Sequence, residues 1–259
     1  MVKTSDRVRA AFVVGLAVAQ VLSSPVTSAL LGPSADQGAI SDANLSPVTP
    51  AGWAFVIWGL IYAASLVLAV YQLLPNQLGR RVHRRTGWWL AGAFAASTVW
   101  VPVFGAQVIW LSQLVIVLLV ICLIFATIGF SRSGPAESAA EQFAFRLPIT
   151  LYLGWATVAC CAGFGTTFRS LGMPQEAGWA SDLGVALVLS ATIASLFVIG
   201  RLFAVTGFVV AACWALLAVA AATYSAEVRL ATVLALIVLL AVLFGRTIRS
   251  DARRTILLG

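Results

Sequence analysis

Charge is scarce in this chain. Of 259 residues, nine are Asp or Glu and sixteen are Lys or Arg, 10% in all. A soluble globular domain carries about 25%, so there is too little polar surface here to cover a water-soluble body. Histidine is rarer still: the only one, His83, lies in a basic loop. The four cysteines, Cys122, Cys160, Cys161 and Cys213, sit inside apolar runs, and none forms a C-x-x-C pair. No structural metal site or disulfide framework is expected, and these cysteines read as small packing residues. There is no G-x-S-x-G and no phosphate-binding glycine loop.

What fills the chain is apolar sequence, 61% of residues, with a mean hydropathy of +1.00. A helix needs about 20 apolar residues to cross a bilayer. Eight runs qualify, at 10–31, 53–74, 87–106, 108–130, 147–168, 183–200, 202–223 and 228–245. The fold class that follows is all-α, a polytopic membrane helix bundle. Two joints, at Ala106-Gln107 and Gly200-Arg201, are very short and predict antiparallel neighbours. Lys3, Arg7 and Arg9 ahead of the first run resemble a signal peptide. Apolar character continues to Leu31, however, long enough for an uncleaved first span.

The formal charge of +7 suggests nucleic acid only until the charges are mapped. They lie in short clusters between apolar runs, so no nucleic-acid partner is expected; the partner is the lipid bilayer. With eight spans, one side carries Lys3, Arg7, Arg9, Arg80, Arg81, Arg84, Arg85, Arg132, Arg146, Arg201, Arg246, Arg249, Arg253 and Arg254. The other carries Arg169 and Arg229. Fourteen against two is a strong positive-inside bias. It predicts cytoplasmic N- and C-termini for a multi-pass integral protein of a bacterial cytoplasmic membrane.

The opposite loops hold Asp36, Asp42, Glu176, Asp182 and Glu227. The longest, 32–52, contains Pro33, Pro47 and Pro50 among Ser, Asp and Asn. It is too polar to span and long enough to fold over a site as a lid, with Pro47 and Pro50 as its candidate residues. The spans themselves lack Asp, Glu, Lys, Arg and His. That argues against a proton-coupled pump and leaves no acid–base or metal-ligand constellation. Gln20, Gln72, Gln107 and Gln113, in or at the edges of spans, can bond between helices.

Aromatic residues recur at helical spacing. In "PAGWAFVIWGLIY", Pro50 to Tyr62, Trp58 and Tyr62 are one turn apart, with Phe55 on the same face. Trp53 points about 140° away from Trp58 and reads as an interfacial anchor. In "LPITLYLGWATVACCAG", Leu147 to Gly163, Tyr152 and Trp155 share a face with Ala159. Between them lies "STVWVPVFGAQVIW", with Trp100 and Trp110. The residues alone allow two readings, core packing or the wall of a ligand site.

Taken together, the three stretches resemble the TspO/translocator-protein family, the tryptophan-rich sensory proteins. Pro50, Trp58 and Tyr62 match the spacing of that family's second helix. Trp100 matches its third, with Ser97 where an Asn is expected. Tyr152, Leu153, Trp155 and Ala159 match its fifth, with Leu151 replacing a proline and Gly163 an asparagine. The resemblance covers about residues 10–168. It implies a five-helix membrane domain, 1–178, to which 179–259 adds three transmembrane helices and a basic tail. It also implies a pocket for a planar apolar ligand, a tetrapyrrole such as a porphyrin or haem, lined by Trp58, Tyr62, Trp100, Tyr152 and Trp155. No cofactor is required and no metal site is expected.

The role implied is a receptor or sensor. An ion-uncoupled carrier, a porphyrin-modifying enzyme and a structural membrane-protein partner are its alternatives, and no catalytic constellation is recognisable. Small-residue spacings such as Gly59–Ala63 and Gly207–Ala211 leave room for a homo-oligomer.

Overall fold

A computed structural model describes residues 2–174 and 178–259; Glu176, assigned above to an outer loop, lies outside the described residues. Eight long helices dominate: α1 Thr4–Leu31, α2 Ile57–Leu73, α3 Arg81–Gly105, α4 Ile109–Ser131, α5 Leu147–Ser170, α6 Gly178–Arg201, α7 Thr206–Ala222 and α8 Ala226–Ile248. No strand occurs among the described residues. Among the described residues, seven helical segments are long and apolar enough to cross a membrane. The remaining one, α7, has 17 residues, about 26 Å at 1.5 Å per residue, slightly short of a hydrocarbon core of about 30 Å. It starts later than the run at 202–223 suggests because the chain turns at Leu202–Val205. Ala204 there takes a left-handed φ of 57°.

The first five helices close a ring. α1 packs on α2 and α3, α3 on α4, α4 on α5, and α5 on α2. Of the remaining three, α6 and α7 pack on the outer side of α5, and α8 packs against both α6 and α7. The short joint at Ala106-Gln107 does give packed neighbours, α3 and α4. The joint at Gly200-Arg201 does not: α7 turns away from α6 and packs on α5 and α8. Glycines bring α5 and α7 together. A Cβ on Gly154 would lie 2.2 Å from Phe208 O, and one on Gly207 would lie 2.7 Å from Leu147 O. α5 is thus enclosed on every side, and Pro148 through Val158 are buried without a break, the mark of a helix in the centre of a bundle.

One end of the bundle is basic and internally paired. Asp6 accepts from Arg9 at 2.8 Å and from Arg84 at 2.7 Å. Glu141 pairs with Arg146 at 2.6 Å and with Arg80 at 2.7 Å. Burial works against the Arg80 charge, but hydrogen bonds to Glu141 and Glu137 outweigh it and raise the Arg80 pKa. Just before α5 the turn Gln142–Arg146 is π-helical. The C-terminal segment Arg253–Leu258 folds back beneath this end. Thr255 O and Ile256 O accept from Ala204 N and Val205 N, and Leu257 O accepts from Thr206 Oγ1. Both ends of the chain therefore lie on the side that carries the arginine clusters.

At the opposite end, the loop 32–52 is folded. Asp36 caps the helix Gln37–Ala43 by accepting from Gly38 N and Ala39 N. Ser46 through Pro50 are buried. The loop is tied down twice: Ala51 N donates to Ala218 O on α7, and Ser46 and Val48 press on Gly165 of α5.

Exposed tryptophans mark two levels. Trp53, Trp110 and Trp179 stand near the loop end, and Trp88 and Trp89 near the basic end, as interfacial belts do.

Candidate functional site

Trp58 is the hub of an aromatic cluster inside the five-helix ring. Its ring is stacked on Trp100 at 5.3 Å and 30°. It meets Tyr152 at 5.8 Å and 90°, and Trp155 at 6.1 Å and 85°, both edge to face. Tyr62 lies 5.5 Å away. Trp100 continues the stack onto Phe104 at 4.9 Å and 14°, and Phe55 meets Trp155 at 5.9 Å. Offset and edge-to-face pairs at these distances are the favoured geometries of aromatic rings.

Above this cluster, towards the loop end, lies a cavity of about 50 Å³. Trp58, Trp100, Trp155, Phe55 and Phe104 form its floor and aromatic wall. Ser112, Gln113 and Ile116 of α4 face Ala159, Ala162, Gly163 and Thr166 of α5 across it, and Ser41 and Pro50 of the folded loop close it. Every lining residue falls between 41 and 166.

The structure brings together the five aromatic residues singled out from the sequence, but only Trp58, Trp100 and Trp155 border the cavity. Tyr62 and Tyr152 lie one turn deeper, beneath the floor. α2 runs away from the loop end, so Tyr62 is below Trp58; α5 runs towards it, so Tyr152 is below Trp155. Tyr62 Oη is 3.4 Å from Ser97 Oγ. The two aromatic pairs do not leave an open slot between facing helices, because Trp58 fills it edge-on. Pro50 borders the cavity, whereas Pro47 sits against Gly184 on α6. Trp53 is half-exposed and packs edge-on against Trp214 at 4.9 Å.

Phe104 and the polar edge were not anticipated as site residues. Phe104 is one turn after Trp100, and Ala159, Ala162 and Thr166 continue the Trp155 stripe at helical spacing. Those repeats are visible in the sequence once Trp100 and Trp155 are placed.

Polar satisfaction is incomplete here. Trp58 Nε1, Trp155 Nε1 and Tyr152 Oη are buried and have no hydrogen-bond partner among the described residues. Buried polar groups are paired in the great majority of cases. Trp58 and Trp155 both line the cavity, and neither indole donor has an acceptor among the described residues. The cavity is smaller than the roughly 150 Å³ that holds benzene and the roughly 300–1,000 Å³ of typical ligand pockets. A ring can enter only by displacing aromatic side chains, and the Trp58–Trp100 stack is the contact that must part.

A family model described as TSPO-like protein matches residues 10–247, from within α1 to the last turn of α8. No curated protein and no solved structure matches the chain.

Proposed function

We propose that this chain, which belongs to the TSPO-like protein family, is a membrane receptor or sensor for a planar apolar ring of the tetrapyrrole type. The observation that carries the reading is the Trp58–Trp100–Trp155 wall with two unpartnered indole N–H groups. Aromatic faces stack on a flat ring, and an apolar chamber buries it. The ring takes the place of the Trp58–Trp100 stack, and the folded loop 32–52 covers it as a lid. The indole N–H groups on the cavity wall lack partners, and acceptors on the ring's edge meet them. The chain sits in a bacterial cytoplasmic membrane with both termini in the cytoplasm, which puts the cavity on the outer side.

The test is equilibrium binding of protoporphyrin to the detergent-solubilised protein, read by quenching of tryptophan fluorescence and checked by dialysis. Trp58→Leu and Trp155→Leu keep bulk and remove the aromatic face. Each should weaken binding by about two- to tenfold, since one aromatic contact contributes about 0.5–1.5 kcal/mol beyond area. Trp53→Leu should leave affinity unchanged. Equal affinities for the parent and all three variants would reduce the cluster to core packing. Ion-independent flux of the ring in liposomes would make the protein a carrier, and conversion to a new absorbing product would make it an enzyme.

A further inference from the structure

The cavity has one polar edge, built where two helices meet with no Cβ between them. Gln113 of α4 is buried and lines the cavity. Its Nε2 donates to Cys160 O of α5 at 3.0 Å. That bond fixes which way the amide points, because the flipped amide would set two acceptors against each other. Oε1 then occupies the space of a missing side chain: a Cβ on Gly163 would lie 2.3 Å from it. The amide fits only because residue 163 is glycine. Among the described residues Gln113 bonds only through Nε2, which leaves Oε1 free to accept, while the buried Trp58 Nε1 and Trp155 Nε1 of the same lining find no acceptor. The lining residues thus carry one free acceptor and two buried donors without a partner.

We propose that Gln113, positioned by Gly163, selects a flat ring whose edge carries an N–H donor beside a carbonyl acceptor, the pattern of a lactam. This rests on the cavity being a ring-binding site, as argued above. A plain arene leaves all three polar groups unmet. A carboxylate answers the indoles but sets negative charge near the amide oxygen. A lactam gives its N–H to Gln113 and its C=O to an indole N–H, while its face stacks on the tryptophans. Once a ring fills the cavity, an acceptor left without a donor is more damaging than a hydrogen bond is helpful, so the selection acts mainly by rejecting rings without the donor.

The test uses two bicyclic probes of nearly equal size, 2-quinolone and 1-methyl-2-quinolone, which differ in the lactam N–H. Binding is measured on the full chain in detergent beside protoporphyrin. The parent should bind 2-quinolone roughly tenfold more tightly than its methyl derivative. Gln113→Met, nearly isosteric, should bring the two affinities to within about twofold. Gly163→Ala should do the same with the glutamine still present, because the new Cβ displaces the amide. A parent without preference overturns the proposal, whether or not either variant folds. So does a preference that survives in a folded Gln113→Met or Gly163→Ala protein. Protoporphyrin binding with no binding of either quinolone overturns the selection and leaves the ring site standing. Failure of all three rings to bind removes both.

Discussion

Gly154 is the position where a single methyl group should do the most harm. The added Cβ of Gly154→Ala would come 2.2 Å from Phe208 O and 2.8 Å from Phe208 C and Cα. These are backbone atoms and have no rotamer to escape into. Relief requires α5 and α7 to separate by about 1 Å, a gap that forfeits a quarter to a half of each dispersion contact along the crossing. The crossing includes Gly207, where a Cβ would lie 2.7 Å from Leu147 O and from Thr150 Oγ1. Overpacking of this kind costs about 1–3 kcal/mol, partly offset by up to about 1 kcal/mol from replacing Gly by Ala in a helix.

Gly59 is the internal standard, since a Cβ there meets nothing within 4 Å; Gly59→Ala shows the propensity gain alone. The two variants should therefore differ by about 1–3 kcal/mol. At roughly 2–4 °C per kcal/mol for a chain of this size, that is a gap of about 2–12 °C. The assay is the fraction of monodisperse protein left after heating in detergent, followed by size-exclusion chromatography. Melting points for Gly154→Ala and Gly59→Ala within about a degree of each other would refute the close α5–α7 crossing.

Three further outcomes are expected. Glu141→Gln leaves buried Arg146 without its carboxylate and should cost about 3–5 kcal/mol. Glu137→Gln removes only an exposed partner of Arg80 and should cost at most about 1 kcal/mol; equal melting points would deny the buried network. Because the cavity lining ends at residue 166, a chain truncated after about residue 178 should keep its ring affinity if it folds. Lost binding by a folded fragment would tie the site to the last three helices. Reporter fusions at the two ends should both report cytoplasm, and an external C-terminus would show that one helix does not cross.

The number of long helices was legible because a bilayer demands length and apolarity, and runs of that kind can be counted. What surrounds each helix was not. α5 is enclosed by protein, while α8 buries few residues, yet both are apolar all round. Lipid and protein interior ask for the same side chains, so composition does not separate them. The aromatic face was legible from spacing, but depth was not: Trp58 and Tyr62 share a face, and only one borders the cavity. Gln113 stood out as a polar residue in an apolar helix. Its partner Gly163 is on another helix, and a missing side chain carries no signal of what fills its place. The arginines were read as markers of orientation; that Arg146 and Glu141 are buried against each other depends on the π-helical turn that precedes α5.

The two sides of α5 differ in compliance. On one side Trp155 borders a cavity; on the other Gly154 rests on the α7 backbone without clearance for a methyl group. Such a helix cannot yield sideways unless α7 moves with it. A ring that displaced Trp155 would therefore turn α5 or slide it along its axis. At the other end of that axis is the wide turn Gln142–Arg146, of a kind frequent at functional sites, and Arg146 within it bonds Gly134 O at 2.8 Å. If a ring binds at Trp155, α5 is expected to carry the displacement from one face of the bundle to the other. A distance measured between labels at Phe143 and Arg201, both exposed, should change when a ring binds; an unchanged distance would leave α5 a passive wall.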